Sequence, residues 1–281
     1  MGAPMAGHLL AAGHSMTVFT RTRSKADALV KRGATLVESA AEAARHADVV
    51  FLCVTDTPDV QDVLLGAKGV IQSARKGLIV VDHSTISPSA TKEMAARLAE
   101  TGTTLLDAPV SGGDVGAKNA TLSIMVGGEK RAFTKVEPLL KCMGKTIIHC
   151  GPSGTGQLTK LVNQILVGVT LMGVSEAMIF AKKNGLDPER TLDAVSGGAA
   201  ASWQLLNLAP KMIANDFRPG FMINLMQKDL RLLMQAAEDS NTSLPAASLV
   251  HQLFAAAQAA GHGKDGTQAM FTVLEKLAAV H

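Results

Sequence analysis

The sequence predicts an α/β protein in two parts, a doubly wound parallel sheet followed by an all-helical domain. Two patterns carry this. Between residues 16 and 150, short β-branched or apolar runs alternate with helical patterns, the arrangement that builds a parallel sheet covered by helices on both faces. From Thr155 onward the strand-like runs stop, and Ala, Leu and Met recur at helical spacing. At 281 residues, 47% apolar and 18% charged, the chain is too long for one small core and has the composition of a globular protein. The spacing divides it into domains at 1–152 and 153–281, with a cleft expected between them.

The first element is helical. Met1-Gly2-Ala3-Pro4-Met5-Ala6 runs into His8–Ala12, stops at Gly13, and is followed at once by the strand MTVFT. This is how the second half of a dinucleotide-binding βαβ unit looks, with Gly2, after Met1, where the third glycine of G-x-G-x-x-G would stand. The strand and the first two glycines of that unit are absent, so the expectation is a Rossmann-like sheet whose first strand is missing and a native start upstream of Met1. Two alternatives stay open: Met1 opens a helical hairpin, or the protein is a non-catalytic scaffold with a degraded cofactor site. Further strands are expected at VVFLCV, LIVVDHS, TTLLDAP, LSIMVGG and TIIHC. Helices are expected at Lys25–Arg32, Ser39–Ala47, Pro88–Glu100 and Lys130–Met143, several with capping residues near their starts. The helical part reads as Gln157–Asn184, Pro188–Ser196, Trp203–Ile213, Asn224–Ser240, Pro245–Ala260 and Gln268–Val280. Trp203 is expected to pack between helices, and Met125, Met172, Met178, Met222 and Met226 to fill the core.

Composition excludes several function classes. With 27 basic and 24 acidic residues the net charge is +3, and no basic stripe interleaved with aromatics appears, which argues against nucleic acid. Cys53, Cys142 and Cys150 are odd in number and lack metal-ligand spacing, pointing to a reduced, cytoplasmic setting. The histidines are scattered, so no metal is expected. No signal-peptide or lipidation pattern is recognised, and the apolar run Leu161–Ala181 carries Asn163, Gln164, Ser175 and Glu176, which argues for a buried helix and against membrane insertion.

Two segments carry chemistry. Asp107–Gly128 ends a strand in a loop where Gly112 and Gly113 let backbone N–H groups approach a ligand and Ser111 adds a hydroxyl, the chemistry of a carboxylate clamp. Alone, Ser-Gly-Gly also reads as an ordinary turn. After MTVFT comes Thr20-Arg21-Thr22-Arg23-Ser24-Lys25, with no carboxylate before Asp27; Arg21, Thr22 and Ser24 suit a 2′-phosphate, favouring NADP over NAD. Gly151, Gly154 and Gly156 read as a flexible turn leaving room for a ligand beside the start of the next helix, or as a plain linker.

MGAPMA, DAPVSGG with TLSIMVGG, GPSGTGQLTKLVNQ and FMINLMQKDL together resemble the β-hydroxyacid dehydrogenase family over essentially the whole chain. The resemblance implies reduction of a small carboxylate-bearing aldehyde, or oxidation of the matching 3-hydroxy acid, without a metal, in a homodimer or homotetramer. Lys160 matches the family's catalytic lysine, which a dry cleft beside the nicotinamide would shift towards proton donation near neutrality. Asn163, one turn on, matches a family residue that would orient the substrate or hold the lysine in place. Ser111, Gly112 and Gly113 match the substrate clamp, Ser84 and Thr85 the strand end that meets the nicotinamide ribose, and Lys228 a cofactor-side lysine with Asp229 as its partner. The tail departs from the family pattern at Asp265-Gly266-Thr267-Gln268, so the resemblance carries no substrate contacts over to it.

Overall fold

The computed structural model describes residues 1–279; Val280, expected to end the last helix, and His281 lie outside the described residues. The chain divides into two compact units, Met1–Lys160 and Leu161–His281.

The first unit opens with α1 (Gly2–Ala11), β1 (Thr17–Val18), a short helical turn leading into α2 (Asp27–Val30), and β2 (Thr35–Leu36). It continues through α3 (Ala40–Ala44), β3 (Val49–Leu52), α4 (Thr57–Leu65), β4 (Ile79–Asp82), α5 (Pro88–Ala99) and β5 (Thr104–Asp107). Then follow β6 (Val110–Ser111), α6 (Gly113–Lys118), β7 (Leu122–Gly127), α7 (Lys130–Leu140), β8 (Gly144–Gly151) and the start of α8 (Thr155–Lys183). Local signals fix the starts. Asp56 and Ser87 cap α4 and α5, each with proline in the first turn, and Ser39 accepts from the Glu42 N–H at 3.1 Å to cap α3.

β1 and β2 form a parallel pair of their own. The main sheet has the order β3-β4-β5-β7-β6, with β8 against β7. β3, β4 and β5 are parallel and register Val50, Val80 and Leu105 side by side. β7 runs antiparallel to β5 and β6 and parallel to β8, so the sheet is mixed where a wholly parallel one was expected. The segment between β5 and β7 is the cause: it folds back through β6 and the short α6, and a chain that returns so directly cannot make the longer crossover a parallel neighbour needs.

Both faces of the sheet are covered. Val81, Leu106, Ile124 and Val126 pack with Met5 and Leu9 of α1 and Phe133 and Val136 of α7. Leu52, Val80 and Leu105 pack with Val60 and Leu64 of α4 and Met94 and Leu98 of α5. Burial on both sides is why β4 and β5 read as continuous apolar runs.

The second unit comprises most of α8, then α9 (Pro188–Ser196), α10 (Trp203–Ile213), α11 (Ile223–Asp239), α12 (Pro245–Ala259) and α13 (Met270–Leu277). Leu171, Met212, Met226, Leu230 and Phe254 form its core. Gly168 lets α8 approach closely, since a Cβ there would lie 2.9 Å from Met226 Cε and 3.0 Å from Val250 Cγ1. Two expectations are corrected. Trp203 is 59% exposed in the first turn of α10, and Met222 is exposed as the residue before α11, where it bridges to Gly266. α8 has the length and composition to cross a membrane, yet 44% of its most apolar window is buried inside the fold.

His83, just beyond β4, is fully buried. Its Nδ1 lies 2.7 Å from the Ala108 carbonyl, which assigns the proton to Nδ1, and its ring stacks on Phe51 with centroids 5.7 Å apart. Nε2 is buried without a hydrogen-bond partner. Burial therefore lowers the His83 pKa to about 4, against the pull of the Ala108 hydrogen bond. Because the folded value lies below the unfolded one of 6.5, the neutral ring favours folding above pH 6.5, and that stability is lost as pH falls towards 4. The loss should be roughly 3 kcal/mol, from about 1.4 kcal/mol per pKa unit. Urea denaturation from pH 7.5 to 4 should show this component in the native chain and not in His83→Met; parallel profiles would refute the assignment.

Candidate active site

β5 ends at Asp107 and leads through Ala108 and Pro109 to Ser111 on β6, which registers with Ser123 of β7. Gly112 and Gly113 then take φ of 126° and 62°, in the region that favours glycine, and α6 starts at once. Ser111 is half-buried, and the first N–H groups of α6 follow it. Asp114 in that first turn accepts from Lys118 at 2.9 Å, the main reason its carboxyl lies below its usual range, and also from the Val115 N–H.

α8 begins against the same strand end. The Asp107 carboxylate, 0% exposed, accepts from the Gly154 N–H through Oδ1 at 2.8 Å and from the Gln157 N–H through Oδ2 at 2.9 Å, capping α8 from across the sheet. Burial raises the Asp107 pKa, while the N–H donors of Gly154, Gln157 and Gly156 pull it back. This corrects the reading of the glycines. A Cβ on Gly156 would lie 2.4 Å from the Met125 carbonyl oxygen and 2.6 Å from that of Asp107. One on Gly127 would lie 2.6 Å from Asp107 Oδ1. They admit backbone against backbone, and the start of α8 is filled by a protein carboxylate instead of leaving room for a ligand.

Lys160 follows on α8 and is 7% exposed, in contrast to a solvated helix lysine. Ser84 and Thr85 follow the end of β4. The Ser84 hydroxyl accepts from the Val54 N–H at 2.9 Å and is engaged in holding the strand ends together; Thr85 is half-buried.

At the expected cofactor end, α1 has no acidic residue in its first turn and no side-chain cap, so the N–H groups beginning at Gly2 remain suited to an anion. Met1 is the residue before α1. Arg21, Thr22 and Ser24 are exposed after β1. Arg21 pairs with Asp59 at 2.8 Å and Arg23 pairs with Glu38, carboxylates that are distant in sequence and so went unread. The helix start clear of acids fits a dinucleotide phosphate, while the Arg21 and Arg23 guanidiniums, though exposed, are each paired with a carboxylate.

The second unit holds a chain of polar groups. Lys228 and Asp229 pair at 2.7 Å with side chains 12% and 3% exposed, so the ion pair is buried. Gln164 donates from Nε2 to Asp229 Oδ2 at 2.5 Å, and Asn163 donates from Nδ2 to Gln164 Oε1 at 2.7 Å. The carboxylate, which can only accept, orients both amides in turn and leaves Asn163 Oδ1 as an acceptor. Gln164, like Gln157 and Asp107, was missed by sequence reading; its signal was its place beside Asn163 in an otherwise apolar run. Among the described residues, no three His, Cys, Asp or Glu side chains cluster as a metal site.

Residues 1–151 match the family described as the NAD binding domain of 6-phosphogluconate dehydrogenase, and residues 154–274 that described as NAD-binding of NADP-dependent 3-hydroxyisobutyrate dehydrogenase. The chain is 43% identical to 2-hydroxy-3-oxopropionate reductase of Escherichia coli K12, over 99% of this chain and 95% of that protein. It is 41% identical to a probable mitochondrial 3-hydroxyisobutyrate dehydrogenase-like protein of Arabidopsis thaliana, over 99% of this chain and 83% of that one. The solved structure of Mycobacterium tuberculosis 3-hydroxyisobutyrate dehydrogenase with L-serine aligns with a TM-score of 0.89 and 34% identity, covering 98% of this chain and 95% of that one. Fold and matches define an NAD(P)-binding oxidoreductase acting on the CH–OH group of hydroxy acids. The chain belongs to the β-hydroxyacid dehydrogenase family.

The buried pair gives a directional test. Lys228→Met leaves the Asp229 charge without its cation and should cost about 3 kcal/mol in chemical denaturation. Lys228→Met combined with Asp229→Leu should recover much of that loss, because an apolar pair tolerates burial. A double variant less stable than the single would contradict the buried-pair description.

Proposed function

We propose that the protein reduces tartronate semialdehyde (2-hydroxy-3-oxopropanoate) to glycerate with NADPH, in the cytoplasm. The observation that carries this reading is a lysine 7% exposed on a helix whose start is hydrogen-bonded to the strand end leading into Ser111-Gly112-Gly113. The likeness to the Escherichia coli reductase supports the choice of substrate.

Bound NADPH supplies the hydride for the aldehyde carbon. As negative charge develops on the carbonyl oxygen, the Lys160 ammonium stabilises it and gives the proton, so that the aldehyde gains a hydride and a proton and leaves as the primary alcohol. Ser111 and the N–H groups at Gly112 and Gly113 hold the substrate carboxylate. Asn163 orients the substrate, its Oδ1 accepting from the hydroxyl that tartronate semialdehyde carries and 3-hydroxyisobutyrate replaces with a methyl. Met1 and Gly2 at the start of α1, Thr85, and Lys228 hold the cofactor, with Arg21, Thr22 and Ser24 taking the 2′-phosphate that distinguishes NADP from NAD.

Within this function, residues 1–152 act as the dinucleotide-binding domain and 153–281 as the substrate and oligomerisation domain. Leu158, Val162, Leu166 and Phe180 are exposed along α8 and support a homodimer or homotetramer.

Lys160→Ala should lower kcat by about 10²- to 10⁴-fold while leaving NADPH fluorescence titration unchanged, and retained turnover would remove the lysine from its role. Arg21→Ala should raise KM for NADPH about tenfold or more with little effect on NADH, as loss of a charge-assisted phosphate contact requires. Steady-state kinetics with tartronate, methylmalonate and succinate semialdehydes and with glyoxylate test the substrate. Higher kcat/KM with methylmalonate semialdehyde would favour a 3-hydroxyisobutyrate dehydrogenase.

A further inference from the structure

Gln157 is 0% exposed in the first turn of α8, and each polar group it carries there is engaged. Its side-chain Nε2 donates to the Ser84 carbonyl at 2.9 Å and its Oε1 accepts from the Ile86 N–H at 3.1 Å, so the amide spans Thr85 as a neighbouring strand would. Its backbone N–H donates to Asp107 Oδ2 at 2.9 Å. One residue thus binds the ends of two adjacent strands, the one running into Thr85 and the one running towards Ser111. Lys160 lies three positions further along, on the same side of the helix and about 4.5 Å along its axis.

We propose that Gln157 is a positioning residue for the hydride-transfer reaction: its amide fixes the first turn of α8 on the Ser84–Ile86 backbone and so sets Lys160 relative to Thr85 and the Ser111 clamp. The inference rests on the reading of Lys160 as proton donor. The chemistry calls for an amide. Ser84 offers an acceptor and Ile86 a donor, and a side chain of this length that answers both must carry one donor and one acceptor at its tip. An apolar residue would strand two buried backbone groups, and an ionised carboxylate would set an acceptor against the Ser84 oxygen. A protonated carboxyl would serve as the amide does.

That last point makes the proposal testable with Gln157→Met and Gln157→Glu in the full chain. Gln157→Met should lower kcat by about 10- to 100-fold, the cost of a displacement of about 1 Å at a reacting group, with a distinctly smaller loss of NADPH affinity through Thr85. Gln157→Glu should be as impaired at pH 8 and recover kcat as pH falls and the buried carboxyl takes up its proton, relative to a native profile measured alongside. Hydrogen exchange of the cofactor-free chains gives a readout without turnover: the Ile86 amide should exchange faster in Gln157→Met, with the sheet core unchanged. A folded Gln157→Met with native kcat, a Gln157→Glu variant without acid recovery, or a kcat loss matched by equal losses of NADPH affinity would overturn the proposal. Should Gln157→Met not fold, the pH profile of Gln157→Glu decides alone. Absence of turnover in the native chain with every semialdehyde would refute the reaction assignment instead, and the exchange result would still report whether the amide holds the Thr85 segment.

Discussion

The first unit is organised around a carboxylate without exposure to solvent. Asp107 terminates β5 and receives the N–H groups of Gly154 and Gln157, so the end of a central strand and the start of the longest helix are one hydrogen-bonded object. Removing a carboxylate from water is costly unless donors surround it, and a helix start supplies both the donors and a favourable field. The arrangement in turn requires that nothing stand between strand and helix, which is why Gly127 and Gly156 lie where a Cβ would come within 2.8 Å of the carboxylate oxygens. Lys160 and Ser111 then inherit their places, one from the helix that Asp107 caps and the other from the strand that Asp107 ends.

The helical unit uses the same device with different partners. Asp229, buried beside Met226 and Leu230, is neutralised by Lys228 and accepts from Gln164, and Gln164 passes the orientation on to Asn163. In each unit a buried acid organises residues that carry proposed roles, and it acts by fixing donors and acceptors rather than by touching substrate. Such networks hold their geometry only when each member is satisfied, so neutral changes at Gln157 or Gln164 matter as much as changes of charge.

The sequence made the architecture legible because period and composition change together near Thr155, and because doubly covered strands such as LIVVDHS stand out as apolar runs. It made local chemistry legible where the residues are neighbours, as in Ser111-Gly112-Gly113 or Lys228-Asp229. What it concealed were meetings between distant segments. Arg21 with Asp59, Asp107 with Gln157, and Gln157 with Ser84 are separated by 38 to 73 positions, and no periodicity announces them. The glycines before α8 show the same limit from the other side. Gly-x-Gly is compatible with flexibility, ligand room or tight packing, and only the Met125 and Asp107 carbonyls opposite Gly156 decide among them.

The choice among substrates follows a similar division. In the proposed reaction, a proton-donating lysine and a carboxylate clamp would serve any small carboxylate-bearing aldehyde alike. Discrimination between a hydroxyl and a methyl on the neighbouring carbon is a matter of a single hydrogen bond, and a site built to accept that bond rejects the analogue that lacks it because its own polar group is then left unpaired. In the proposed function Asn163 would have that character. The carboxylate at Asp229 turns the Gln164 amide, Gln164 turns the Asn163 amide, and the oxygen left at Asn163 is an acceptor that a methyl group cannot answer. Under the proposed reading, substrate preference would be tied to Asp229, an acid that the substrate need never meet.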